Sequence, residues 1–389
     1  MLMLLIVCLL AKRFDDYVLY KVSNPSKQLA QELNKYDVWH ADKSGIEVFM
    51  PKQHFNALVI PSTQYEVLKT DMQELIDVES QRLSRNKRFK KVAPIAPDDL
   101  WFEQFFVDYS PYDDVKAWYL KLSQTFPDLV QFVPSIGKSL EGRDLFAIHL
   151  TAPSSSFTRA TTKKLFYFQS LIHAREWISG TTTAYIVWQF VKGFTNKDSK
   201  FVNILNEAEF VIVPIVNPDG YTYAHTTDRM WRKNTRVVNG QIAGVDLNRN
   251  FQDGHWGKGG SSTDPDDETY MGKAPFSEPE TSVIDQYYRS LTNVVGAIDF
   301  HSYSQLILRP FGYTNADSPN EKDFLRVTTQ MSNTIKKLTN KYYTAEKSIG
   351  LYVTTGTASD YFYNAKPQSP SQDWVFALTI ELRPNSAFR

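Results

Sequence analysis

Leu165-Phe166-Tyr167-Phe168 opens an apolar run that ends near Ile172 and passes directly into His173-Ala174-Arg175-Glu176-Trp177. A short stretch that is apolar on both faces reads as a strand buried inside a sheet. Val294-Val295-Gly296-Ala297-Ile298-Asp299-Phe300 reads the same way and ends at His301. So does Phe376-Ala377-Leu378-Thr379-Ile380, which ends at Glu381. Phe210-Val211-Ile212-Val213-Pro214-Ile215-Val216 is a further strand, and its proline argues for an edge or a bulge. Thr181 to Val191 reads as a helix. Strands of this kind separated by helices predict an α/β fold, with a mixed, mostly parallel sheet covered by helices on both faces.

Upstream the pattern is different. Tyr17 to Val22 reads as a strand, and Asn24-Pro25-Ser26 opens a helix that puts Leu29 and Leu33 on one face. Val38-Trp39-His40 and Ile46-Glu47-Val48-Phe49 read as a hairpin turning near Ser44-Gly45. Tyr65 to Leu83 has helical periodicity. Residues 14–80 therefore form a small α+β unit. Residues 81–97 read as a basic linker: Arg82, Arg85, Lys87, Arg88, Lys90 and Lys91 occur with no acid between 80 and 91, and Pro94 and Pro97 follow. Such a stretch is either a solvated connection or a site open to a processing protease. The second unit runs from 98 to 389. Met1 to Ala11 is apolar and too short to span a bilayer, and with Lys12 and Arg13 it suggests a signal segment over 1–13. The sole cysteine, Cys8, lies within it.

Formal net charge is zero, from 43 basic and 43 acidic residues, which gives no support to a nucleic-acid binder. The chain is 42% hydrophobic and 14% aromatic, enough for a large core. His173 and Glu176, three apart after a strand, and His301, after another, are two histidines and one glutamate. That set leaves a fourth position open on a metal, which is the pattern of a catalytic zinc. A single His-x-x-Glu also arises by chance, and His40, His54, His149, His225 and His255 have no comparable setting. Asp246, in Gly244-Val245-Asp246-Leu247-Asn248-Arg249-Asn250, is a candidate for orienting a ligand histidine.

The ordered stretches His-Ala-Arg-Glu-Trp at 173–177, Asn-Pro-Asp-Gly-Tyr at 217–221, Met-Trp-Arg-Lys at 230–233, Asp-Leu-Asn-Arg-Asn-Phe at 246–251, Phe-Ser-Glu-Pro-Glu-Thr at 276–281, Asp-Phe-His-Ser-Tyr-Ser at 299–304 and Thr-Ile-Glu-Leu-Arg at 379–383 resemble the pancreatic carboxypeptidase A/B type of zinc metallocarboxypeptidase. The resemblance covers about residues 105–389, and residues 14–90 share the layout of that family's activation propeptide. It implies a carboxypeptidase-like fold with one zinc held by His173, Glu176 and His301. It implies Glu381 as general base and Arg232 as the cation facing the oxyanion. Asn248, Arg249 and Tyr352 would take the terminal carboxylate of a peptide or protein substrate, and Arg175, Ser302 and Tyr303 the next subsite.

Ser359 aligns with the family position that sets the pocket floor, alongside Thr354 and Thr379. An uncharged floor implies neutral, aromatic or aliphatic, C-terminal residues. The resemblance further implies a secreted, monomeric zymogen, with the vacuole as a second compartment. An activating protease would cut near Lys87-Arg88. Between Tyr363 and Glu381 this chain is longer than the family pattern, and at Arg389 it ends before the family's closing helix, which implies C-terminal truncation. An inactive binding homologue would lack a ligand or the base, yet all are present. A hydrolase of other amides is disfavoured by Asn248-Arg249.

Overall fold

The computed structural model describes residues 11–42, 44–92, 98–153, 163–365 and 374–384. Most of the expected signal segment, Cys8, Pro94, Pro97, residues 366–373 of the expected insertion and the chain end lie outside the described residues.

The N-terminal unit runs β1 (Tyr17–Val22), α1 (Lys27–Leu33), β2 (Asp37–Asp42), β3 (Gly45–Pro51), α2 (Lys52–Ala57), β4 (Tyr65–Lys69) and α3 (Met72–Val92). Its sheet has the order β2-β3-β1-β4 and is antiparallel throughout. Side chains alternate across β1: Val18, Tyr20 and Val22 join Leu33 and Phe55 in one cluster, and Leu19 joins Phe49 and Met72 in another. Ser26 Oγ accepts from Leu29 N at 3.2 Å and starts α1.

One expectation is corrected here. Tyr65 to Leu83 is not one helix, because Tyr65–Lys69 pairs with β1 as an edge strand and the helix starts only at Met72. A short apolar-and-charged run satisfies both periods, and the open edge of β1 decided it. Helix α3 continues into the basic stretch as far as Val92.

The second unit contains α4 (Asp98–Gln104), α5 (Tyr112–Thr125), β5 (Val130–Lys138), β6 (Asp144–Leu150), β7 (Lys164–Ser170), α6 (Trp177–Thr195), α7 (Ser199–Glu207), β8 (Ala208–Val213) and α8 (Pro218–Thr226). A two-residue hairpin of β9 (Val237–Val238) and β10 (Gln241–Ile242) follows. Then come α9 (Pro279–Ser290), β11 (Val294–Ser302), β12 (Leu306–Arg309), α10 (Glu321–Thr339), β13 (Thr344–Lys347), α11 (Ala358–Asn364) and β14 (Phe376–Leu382). The eight-stranded sheet has the order β13-β12-β14-β11-β7-β8-β6-β5. Its centre, β14-β11-β7-β8, is parallel, and β12 and β6 flank that centre antiparallel. Alternate residues of β7 serve opposite faces. Phe168 packs against Phe210, which meets Phe190 of α6, while Tyr167 meets Tyr288 of α9 and Phe362 of α11. The helices thus cover both faces, as the apolar strands required.

Pro214 does not mark an edge. It lies just past the end of β8, which is an interior strand, and its carbonyl accepts from Ser170 Oγ at 2.7 Å.

Gly356 fixes the approach to α11. Its φ is +72°, its N–H donates to Asp253 Oδ2 at 2.5 Å, and an added Cβ would lie 2.3 Å from the Arg249 carbonyl oxygen. Left-handed backbone and a backbone clash act together at this position. Gly356→Ala is expected to cost about 2 kcal/mol or more of stability, read as a lowered Tm; an unchanged Tm contradicts this account.

Candidate active site

The neighbouring parallel strands β7, β11 and β14 end side by side, with Phe300 opposite Ser170 and His301 opposite Glu381. The carboxyl ends of such strands are where an α/β sheet can gather polar groups without cutting its core. His173 and Glu176 leave the turn between β7 and α6, and His301 is the penultimate residue of β11.

These three buried residues have ligand atoms within 4.8 Å of one another. His173 Nδ1 lies 2.8 Å from Glu176 Oε1, His301 Nδ1 lies 3.1 Å from Glu176 Oε2, and the two Nδ1 atoms are 3.1 Å apart. Each outer nitrogen meets a carboxylate: His173 Nε2 faces Asp246 Oδ1 at 3.1 Å and His301 Nε2 faces Asp299 Oδ2 at 2.7 Å. Two inward nitrogens and an inward carboxylate, with each imidazole oriented from behind, fit a zinc ion. Burial alone would lower the His301 imidazole, but Asp299 and Glu176 outweigh it and hold its pKa well above the usual value. Burial works to raise Glu176, and His173 and His301 overcome it, leaving that carboxylate below its ordinary range.

Asp246 is fully buried and shared. Besides His173, its Oδ1 accepts from Asn248 N at 2.9 Å, and its Oδ2 accepts from Arg232 Nη2 at 2.8 Å and Nε at 3.2 Å. Arg249 Nη1 is 3.8 Å from the same oxygen. Arg249 is 2% exposed, gives Nη1 to the Asn248 carbonyl at 2.8 Å, and its Nε has no hydrogen-bond partner. The Asn248 amide oxygen accepts from Ala358 N at 2.9 Å, which ties this corner to the start of α11. Tyr352 lies over Arg249, 5.8 Å from guanidinium to ring.

Buried asparagines hold the loops that carry these groups. Asn217 donates to the carbonyls of Ile172 and Lys233, Asn234 Oδ1 accepts from Val245 N, and Asn250 donates to the Met271 and Ala274 carbonyls.

Glu381 lines the same cavity, of roughly 1120 Å³, as the three candidate ligands, Arg232 and Arg249. Burial pushes its carboxyl up to about 8, against the pull of His301 and Arg232. The opposite wall belongs to the N-terminal unit, with Tyr36, Val38, Trp39 and Ile76. Arg175 donates to Asp37 through both terminal nitrogens, at 2.6 and 2.9 Å, and Trp39 lies against it and against Tyr303. Further out, Arg229 pairs with Glu79, Arg82 with Asp108 and Lys12 with Asp228.

Of the expected site residues, His173, Arg175, Glu176, Arg232, Asn248, Arg249, His301, Ser302, Tyr303, Tyr352 and Glu381 all line this one cavity. Asp246 stands directly behind it. Ser359, Thr354 and Thr379 are buried and do not line it. Sequence reasoning missed Asp299, although its spacing of two from His301 along a strand puts both on one face. It also missed Asp37, Trp39 and Glu268, for which there was no local signal.

The family model described as zinc carboxypeptidase matches residues 115–389. The chain is 30% identical over 394 residues to zinc carboxypeptidase A 1 of Anopheles gambiae, covering 96% of this chain and 83% of that one. It is 28% identical over 401 residues to a Saccharomyces cerevisiae protein named an inactive metallocarboxypeptidase, covering 97% and 87%. The structure of carboxypeptidase A from Helicoverpa armigera superposes with a TM-score of 0.80 at 28% identity, over 97% of this chain and 91% of that one. With the fold, the His-Glu-His cluster and these matches in agreement, the chain belongs to the zinc carboxypeptidase family and is a metallocarboxypeptidase, a peptide hydrolase acting at the C-terminus.

Proposed function

We propose that the chain is the precursor of a secreted, monomeric carboxypeptidase that removes neutral C-terminal residues and is held closed by its N-terminal unit. The observation that carries the exopeptidase geometry is Arg249, a buried guanidinium with an unpaired donor in the same cavity as the ligand cluster. A cation in that setting is suited to a carboxylate, and with Asn248 and Tyr352 it would grip the terminal carboxylate of a substrate.

His173, Glu176 and His301 would hold the zinc, which when bound supplies a Lewis acid that acidifies water and polarises a carbonyl. Glu381 takes the proton from the attacking water and returns it to the leaving amine. Its raised pKa suits a group that must both accept and give a proton near neutral pH. Arg232, kept charged by Asp246 despite its burial, faces the oxygen on which negative charge develops. Arg175, Ser302 and Tyr303 line the path of the chain upstream of the scissile bond.

The neutral preference rests on the family position that Ser359 occupies in the alignment, since Ser359 is buried and does not itself line the cavity. The acid next to it in sequence, Asp360, is fully buried, accepts from Gly312 N at 2.8 Å, and is pushed up to about 7 by burial. Employed as an internal tie and absent from the cavity lining, it is poorly placed to pair with a substrate cation. The zymogen reading rests on the N-terminal unit, whose Asp37 occupies Arg175 and whose Trp39 walls the cavity. Because α3 runs through Lys87 and Arg88, an activating protease needs that helix end to open locally.

Glu381→Gln is expected to lower kcat by about a thousandfold or more while leaving one zinc per chain, and a chelator is expected to abolish wild-type hydrolysis. Near-normal turnover in the variant, or full activity after exhaustive metal removal, contradicts the assignment.

The uncut chain should hydrolyse peptides more slowly than the chain cut near Lys87-Arg88, and Asp37→Ala should narrow that gap. N-terminal sequencing of the active form together with rates before and after cleavage checks this. Equal rates argue against a zymogen.

On peptides ending in Phe, Leu, Lys or Glu, kcat/KM should be highest for Phe or Leu. A Lys peptide ahead by about tenfold, or 1.4 kcal/mol, would reverse the reading of Ser359.

A further inference from the structure

Asp264-Pro265-Asp266-Asp267-Glu268 places four acids in five positions beside the cleft. Glu268 lines the cavity, and its Oε2 is shut off from solvent yet accepts no hydrogen bond from the described residues. The cations nearby are engaged elsewhere. Arg175 comes within 4.0 Å of that oxygen but donates to Asp37 and to the Met230 carbonyl. Lys233 gives its ammonium to the carbonyls of Pro265 and Asp267, each at 2.8 Å. Glu268 therefore lines the cleft with a carboxylate oxygen to which no described residue donates, a costly arrangement unless an occupant supplies a donor.

The N-terminal unit already places a matching charge at this end of the cleft. It sets an acceptor, the Asp37 carboxylate, on Arg175. An occupant that offers a carbonyl to Arg175 and a positive side chain to Glu268 would satisfy both groups at once. Departure of Asp37 removes the anion that opposes Glu268 most and frees Arg175 for a main-chain carbonyl. Asp264 and Asp266, exposed on the same loop, add negative potential at the cleft mouth.

We propose that Glu268, backed by this acidic loop, selects substrates that carry a lysine or arginine upstream of the bond that is cut. The inference rests on the carboxypeptidase reading above and deepens it by naming the class of peptide taken.

The test uses the protein cut in its basic stretch, with the N-terminal unit left in the sample. Two peptide series, acyl-X-Gly-Phe and acyl-X-Gly-Gly-Phe, vary X among Lys, Ala and Glu. In one series at least, kcat/KM for Lys should exceed that for Ala by about fivefold at low salt, as expected for a half-buried ion pair. The ratio should shrink at high salt. Glu268→Gln should bring it to about one, and Glu268→Lys should make the Glu peptide the better substrate, an inversion that damage to the fold does not produce. A wild-type ratio near one in both series, or a ratio unchanged in Glu268→Gln, overturns the role of Glu268 alone. Failure of the wild type to cut any of the peptides overturns the carboxypeptidase reading and this inference with it.

Discussion

The buried carboxylate of Asp246 is the constraint on which the site depends. One oxygen orients His173 and takes the Asn248 amide, and the other holds Arg232, with Arg249 close by. A lone carboxylate in that position would be strongly destabilised. Burial works to raise its pKa, and Arg232, His173 and Arg249 together hold it well below the ordinary range. The dependence is mutual. Arg232 remains charged although mostly buried because Asp246 faces it, and His173 presents Nδ1 inward because Asp246 holds Nε2. The groups proposed to bind metal, oxyanion and terminal carboxylate are thereby spaced by one anion, so a shift of the loop that carries it would move all three.

That loop leaves the sheet after β8 and rejoins it only at β11, so the sheet cannot hold it directly. Side-chain amides of Asn217, Asn234 and Asn250 replace the missing backbone ladder, each tying its own segment to two others, Asn234 through the Val245 main chain and the Glu278 side chain. An amide offers donor and acceptor at once without charge, which suits a strut that must be buried. The sheet contributes what loops cannot, the fixed register that sets His301 opposite Glu381 on adjacent parallel strands.

Legibility in the sequence followed the range of the interaction. The central strands were readable because burial on both faces demands apolar residues at every position, and the His-x-x-Glu turn because its ligands are neighbours. Asp299 was readable in principle from its spacing to His301. Tyr65–Lys69 was misread because five residues with mixed polarity fit helix and strand alike, and only the free edge of β1 settles the matter. Pro214 was misread because its cost depends on whether the strand has already ended. The pairing of Asp37 with Arg175 and the exposure of Glu268 to the cleft left no trace at all. They join segments more than a hundred residues apart or arise from one oxygen having no partner, and neither produces a pattern along the chain. The roles of Arg232, Asn248, Arg249 and Tyr352 came through family resemblance, since an arginine in a loop is otherwise an ordinary solvated cation.

The contacts of the N-terminal unit bear on how it would restrain the enzyme. Under it, His173, Glu176, His301, Arg232, Arg249 and Glu381 are already gathered around one cavity, so no part of that constellation waits for removal of the unit to assemble. Restraint would then come from occupancy, with Asp37 on Arg175 and Trp39 against Tyr303 where a peptide would run. The attachment includes the ion pairs of Asp37 with Arg175, Glu79 with Arg229 and Arg82 with Asp108, beside apolar contact of Met230 with the cluster of Phe49 and Met72 and of Trp39 with Tyr303. Partly solvated ion pairs are individually weak, and screening weakens the exposed ones further. Such a surface holds well while the covalent connection keeps the local concentration high, and far less well once α3 is severed and the contact becomes bimolecular. A unit fastened by a large apolar face alone would stay bound after cleavage. The restraint proposed for this unit would depend on the intact chain as far as its ion pairs carry the attachment.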